Sequence, residues 1–192
     1  MLQPLPNTRR LTRREYEGLV ERGFFRPGES VELIGGELLV AEPQGGPHAA
    51  AVGLTADALR AAFGPGWVVR EEKPIAPDDE SEPQPDLAVV PGKHRDYRAG
   101  HPARPVLVVE VADTSLVWDR GQKGSLYART GIPDYWIVNL VDRALERYRE
   151  PVLDASAPFG WRYGSVAVLQ SFATVSPLAA PDARVVVADL LP

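Results

Sequence analysis

Two short uninterrupted apolar runs, Leu87-Ala88-Val89-Val90 and Val106-Leu107-Val108-Val109, stand out from the polar chain around them. Continuous runs of this length are the signature of strands buried on both faces, and they predict the centre of a sheet. Further strands are predicted at Trp67 to Pro77, at Tyr135 to Leu140 and at Leu145 to Arg149, the last two around a turn at Val141 to Ala144. Val166 to Leu169 and Val185 to Val187 are expected to finish the sheet. Ser30 to Ile34 and Glu37 to Val40 flank Gly35-Gly36, whose freedom at positive φ predicts a two-residue hairpin turn. Glu32, Ile34, Glu37 and Leu39 then share one face.

Helical signals lie between these runs. Thr12-Arg13-Arg14-Glu15 has the capping-box form and opens a helix that Gly23 stops. His48 to Phe63 reads as a second helix with Ala51, Leu54, Ala58, Leu59 and Ala62 as its apolar stripe, ended by Gly64-Pro65-Gly66. A third is predicted from about Leu116 to Thr130, closed by Gly131 and Pro133 and weakened in its first turns by Gly121 and Gly124. The order of helix, hairpin, helix, strands, helix and strands predicts an α/β fold with a mixed β-sheet flanked by helices.

A chain of 192 residues, 44% apolar, is long enough for one substantial core and short for two. Residues 1–192 are therefore expected to form one domain, with the N-terminal helix and hairpin (about 12–41) packed on the rest. The formal net charge of −5 gives no global field for a nucleic-acid coat or a membrane surface, so any nucleic-acid contact must be local. With no cysteine, thiol nucleophiles, iron–sulfur clusters and Cys-based zinc sites are excluded. No apolar run approaches a bilayer span and the N-terminus has no signal-peptide core, which predicts a cytoplasmic protein without membrane contact. Eighteen arginines stand against three lysines, a bias that a thermophile and a GC-rich genome both produce. Either way, Lys73, Lys93 and Lys123 are enriched for places where a compact ammonium is needed.

The chemistry is concentrated at the ends of the two apolar runs. Pairing them antiparallel with Val90 opposite Val106 keeps the sum of paired residue numbers constant, and Asp86 then faces Glu110. Like charges in directly opposed positions repel, and Glu110 is the only charge within Val106 to Ala112. Two buried, convergent carboxylates suit a divalent cation with hard oxygen ligands, Mg²⁺ or Mn²⁺. A salt bridge from Glu110 to an arginine is the plainer alternative. Asp119, Lys123 and Tyr127 follow one another at four-residue spacing, so the third helix can present Lys123 to the sheet; a surface pair with Asp119 is the alternative there. His48 is a helix-start residue that can cap or touch phosphate, and Tyr127, Tyr135 and Trp136 read as core.

These residues together resemble the PD-(D/E)XK nuclease superfamily, with its restriction-endonuclease-like fold, and within it the Uma-two family. The resemblance runs through Val31 to Leu38, His48, Pro85-Asp86, Val109-Glu110-Val111, Asp119, Lys123, Tyr127 and Gly131 to Val138. It implies a Mg²⁺- or Mn²⁺-dependent endonuclease acting on DNA phosphodiester bonds. In that reading Asp86 and Glu110 match the acidic pair, Glu32 completes the metal shell, and Lys123 replaces the motif lysine, whose position is occupied by Ala112. Glu37 is expected to be structural or at the rim. The charge pattern supports DNA only in part. Arg9, Arg10, Arg13 and Arg14 cluster on the first helix, and Lys93, Arg95, Arg98 and Arg104 decorate the loop between the apolar runs, but Asp78, Asp79, Glu80 and Glu82 precede Asp86. Symmetric cutting of duplex DNA would favour a homodimer. A nuclease fold that only binds nucleic acid, and a self-associating module, are the alternatives.

Overall fold

The computed structural model describes residues 9–41 and 44–192; the N-terminal segment before Arg9, where the reading of a leaderless start falls, lies outside them. Six strands form the main sheet: β3 (Trp67–Glu71), β4 (Leu87–Pro91), β5 (Leu107–Ala112), β6 (Asp134–Asn139), β7 (Ala144–Leu153) and β8 (Trp161–Gln170). They lie side by side in that order, with only β5 and β6 parallel. The fold is α/β with a mixed sheet. No described helix is long and apolar enough to cross a membrane.

Each face of the sheet owns one parity of residues. Leu87, Val89, Leu107, Val109 and Val111 pack with Trp136 and Val138 beneath α2 (Gly46–Phe63). Ala88, Val108 and Ala112 pack with Tyr135 and Ile137 on the other side, together with Leu126, Tyr127 and Ala128 of α4 (Gly124–Arg129). Each fully buried aliphatic side chain contributes about 1.5–3 kcal/mol, so these rows fix the register firmly. Leu87 pairs with Val109, Ala88 with Val108 and Val89 with Leu107, the register expected from the sequence.

At the N-terminus α1 (Arg13–Glu21) starts on the Thr12–Glu15 capping box. Arg9 and Arg10 therefore precede the helix rather than lying on it. The hairpin β1 (Val31–Ile34) and β2 (Glu37–Val40) turns at Gly35 and Gly36, both at positive φ. It stands outside the main sheet and docks through a bridge between Leu33 and Glu82.

Four expectations are corrected. The strand from Trp67 ends at Glu71, because Glu72 takes a positive φ and the chain turns away. Val185–Val186 (β10) does not extend the main sheet; it pairs with Thr174–Val175 (β9) in a small separate ribbon. The face of α2 is rotated, burying Val52, Ala56 and Phe63 while Leu54 is exposed, because apolar residues surround this helix and spacing alone cannot choose a face. Finally, the third helix is not regular. It comprises a short turn α3 (Leu116–Trp118), a π-helical turn over Asp119–Lys123, and α4.

Candidate active site

The site forms where β4 begins and β5 ends. Asp86 precedes β4, Glu110 lies in β5, and both belong to the sheet face that α4 covers. The backbone N–H of Asp86 donates to Glu110 Oε2 at 3.4 Å, and the N–H of Val111 donates to Asp86 Oδ2 at 2.7 Å. Each carboxylate is thus held by the other's strand. Gln44 Nε2 donates to Asp86 Oδ1 at 3.2 Å, and His48 Nε2, from the first turn of α2, lies 3.2 Å from Asp86 Oδ2. Glu32 enters from β1, and Lys123 comes from the π turn.

That turn decides where the lysine goes. The N–H of Gly124 bonds to the carbonyl of Asp119, five residues back, and the Tyr135 hydroxyl donates to the same carbonyl at 3.1 Å. A Cβ on residue 124 would sit 3.2 Å from that carbonyl oxygen, so glycine suits the position. The extra residue in the turn alters the simple four-residue spacing. Asp119 and Lys123 are both buried, and the Lys123 ammonium reaches Glu110 Oε1 at 3.0 Å and Glu32 Oε2 at 3.6 Å. It is not the surface partner of Asp119. The turn is braced from outside by Arg120, which donates two hydrogen bonds to Glu146 of β7 at 2.9 and 2.5 Å.

Charge is the dominant feature of this cluster. Four carboxylates, Glu32, Asp86, Glu110 and Asp119, gather around one ammonium. Burial pushes the Glu110 carboxyl well above its ordinary value; Lys123 opposes the shift, and Asp86, Asp119 and Glu32 add to it. Burial likewise lifts Asp119 to about 6 against the pull of Lys123 and of the Ser115 hydroxyl, which donates to it at 2.6 Å. For Lys123, burial alone would favour the neutral amine, but Glu110, Glu32, Asp119 and Asp86 outweigh it and keep the ammonium charged. Burial lowers the His48 proton affinity, and the Asp86 contacts more than restore it.

Several of these groups have no signal in the pattern of the sequence. Gln44 sits in a polar stretch before the Gly45-Gly46 turn, and the core reading of Tyr127 misses that its hydroxyl donates to Glu110 Oε1 at 2.6 Å. Glu37 is exposed and lies 3.9 Å from Arg10. The loop basic residues Lys93, Arg95, Arg98 and Arg104 are exposed or partly so and lie beyond β4, at the far end from Asp86.

The residues fit a hard divalent cation in their chemistry. Glu32 Oε2 is buried without a hydrogen-bond partner, the carboxylates exceed the cationic groups, and all the donors are oxygens. Among the described residues no three His, Asp or Glu side chains already surround one point at ligating distance. Lys123 stands between Glu110 and Glu32 instead. The whole cluster opens into a cleft of about 700 Å³, whose wall also includes Val40, Gln44, Glu72 and Trp118.

A crystal structure described as a putative nuclease belonging to DUF820, from Anabaena variabilis, shares this architecture. It superposes with a TM-score of 0.61 at 16% identity, covering 84% of this chain and 89% of that one. No curated protein matches the chain. The sequence model of the family "Uma2: Putative restriction endonuclease" matches residues 13–187. Spanning the hairpin, both central strands, the π turn and the C-terminal ribbon, that match makes this chain a member of the Uma2 family.

Proposed function

We propose that the protein is a divalent-metal-dependent endonuclease that hydrolyses DNA phosphodiester bonds at this cleft, with residues 1–192 acting as one nuclease domain. The observation that carries the reading is Lys123. A rare lysine, buried on an irregular turn, places its ammonium 3.0 Å from a buried glutamate that lines the cleft.

Asp86, Glu110 and Glu32 would hold the cation, Mg²⁺ or Mn²⁺. Bound there, it supplies polarisation of a phosphodiester oxygen and a water of lowered pKa. Asp86 is oriented for this by three donors, the Val111 N–H, Gln44 and His48. Tyr127 fixes Glu110. Lys123 supplies positive charge where negative charge develops on the phosphate, and its pre-set position spares the cost of organising it during reaction. Ala112, in the motif lysine's position, offers no charge, and among the described residues of the cleft wall Lys123 is the only lysine.

Calorimetric titration with Mn²⁺ and cleavage of plasmid DNA test the proposal together. Glu110→Gln should abolish metal binding. Lys123→Ala should leave metal binding nearly intact and lower cleavage by about 10² or more, with Lys123→Arg a poor rescue. Wild-type cleavage by Lys123→Ala overturns the role of the lysine. Metal binding with no cleavage by the wild type would favour a fold that only binds nucleic acid.

A further inference from the structure

The cleft has a shape and a charge that select among DNA forms. Among the described residues its wall contains no arginine, and Glu32, Glu72, Asp86, Glu110, Asp113 and Asp119 oppose the single ammonium of Lys123. Binding to duplex DNA draws its affinity from many neutralised phosphates, and this wall repels them. Arg9, Arg10 and Arg13 are engaged with Glu15, Glu37 and Glu17, and the basic loop after β4 lies at the other end of the strand. A cleft of about 700 Å³ is in the size range of pockets that enclose one small organic molecule.

What the cleft offers instead is apolar surface beside the reactive groups. Trp118 lines it and is 38% exposed, in the residue just before Asp119. Val40, also in the wall, is 62% exposed. An indole held at a rim by a braced helical turn is a stacking platform for a base, and stacking needs no particular sequence because every base has a π-face. A base still inside a duplex cannot reach it.

Resting on the nuclease reading above, we infer that the cleft takes single-stranded or locally unpaired DNA, with the base beside the scissile phosphate stacked on Trp118. The phosphate of that nucleotide would sit beside Lys123 and the cation, the positive charges at the centre of the cluster. Gln44 and Gln84, amides in the same wall, can meet base edges.

Fluorescence anisotropy of a short fluorescein-labelled DNA single strand tests this on the unaltered protein, with Mn²⁺ present and phosphorothioate linkages in the strand to slow its cleavage. The same strand annealed to its complement is the comparison. The single strand should bind at least about tenfold more tightly than the blunt duplex. Trp118→Ala should weaken single-strand binding by about tenfold or more, and Trp118→Phe should retain most of it. Trp118 is 38% exposed, so Trp118→Ala also removes packing; its melting curve is recorded alongside, and Trp118→Phe, which keeps a ring in place, separates lost stacking from lost folding. Equal affinity for the two DNA forms, or an unchanged Trp118→Ala, overturns the inference. If duplex is bound and cut regardless of Trp118, the nuclease reading survives without it. If Mn²⁺ binds in calorimetry but neither DNA form does, both fail.

Discussion

Two buried glutamates flank the same helical segment and have opposite fates. Glu146 of β7 is 2% exposed and Glu110 of β5 is 3% exposed, so desolvation acts against both. Glu146 receives a two-pronged Arg120 guanidinium, the Asn139 amide at 2.7 Å and the Tyr148 hydroxyl at 2.6 Å. Its carboxyl is held below the ordinary value despite burial. Glu110 receives a lysine and a tyrosine but shares its space with three further carboxylates, and burial holds it well above. The difference lies in the company each keeps. A carboxylate whose lone pairs are all satisfied is a structural device, whereas one with surplus negative neighbours is a vacancy for positive charge.

The comparison can be broken most forcefully at Glu146. Arg120→Met leaves a buried carboxylate without its cation, and the loss of stability should be about 2–3 kcal/mol, at or below the low end of the usual range of about 3–5 kcal/mol because Arg120 is itself half exposed. Urea unfolding measures it, and a shift near zero would mean that Asn139 and Tyr148 suffice alone. A third buried carboxyl sharpens the contrast by titrating. Glu82 is 5% exposed; burial and the neighbouring Glu17 raise it to about 7, against Arg13. A carboxyl raised in the folded state stabilises when protonated, and that stability is lost as pH rises from about 4.5 through 7. The melting temperature should therefore fall from pH 5 to pH 8, by on the order of 1–3 kcal/mol of stability, and Glu82→Gln should flatten the profile and raise the value at pH 8. Arg120→Lys removes the fork and keeps the charge, for which about 1 kcal/mol is expected in the same urea assay. Smallest of all, Glu110→Gln should leave the melting temperature unchanged or slightly raised, since it relieves repulsion; a large drop would place Glu110 in the same class as Glu146.

How much of this was legible beforehand follows from how local each signal is. The register of β4 on β5 was readable because two apolar runs flank the only two acidic residues that can oppose one another. Scarcity marked Lys73, Lys93 and Lys123 alike; it was the spacing with Asp119 and Tyr127, together with the family resemblance, that pointed Lys123 at the sheet. The limits of β3 and the placement of β10 were not, since a positive φ at Glu72 and a pairing with Thr174–Val175 are settled by distant partners. The rotated face of α2 reflects a helix apolar all round. The π turn escaped because the contacts that stabilise it come from Tyr135 and Glu146, both on later strands. Its only local trace is the pair of glycines, Gly121 and Gly124, which read as mere weakness in a helix.

The π turn also marks where this helix can absorb the loss of a codon. A π turn closes its backbone hydrogen bond one residue later than an α turn, so removing one residue between Asp119 and Lys123 would let the segment close as an ordinary α-helix with Trp118 and Asp119 in nearly the same direction relative to α4. What would change is the interior of the turn, where Arg120 now reaches Glu146. An in-frame deletion there would thus remove the brace and spare the cleft, which makes this turn the tolerant point of the segment.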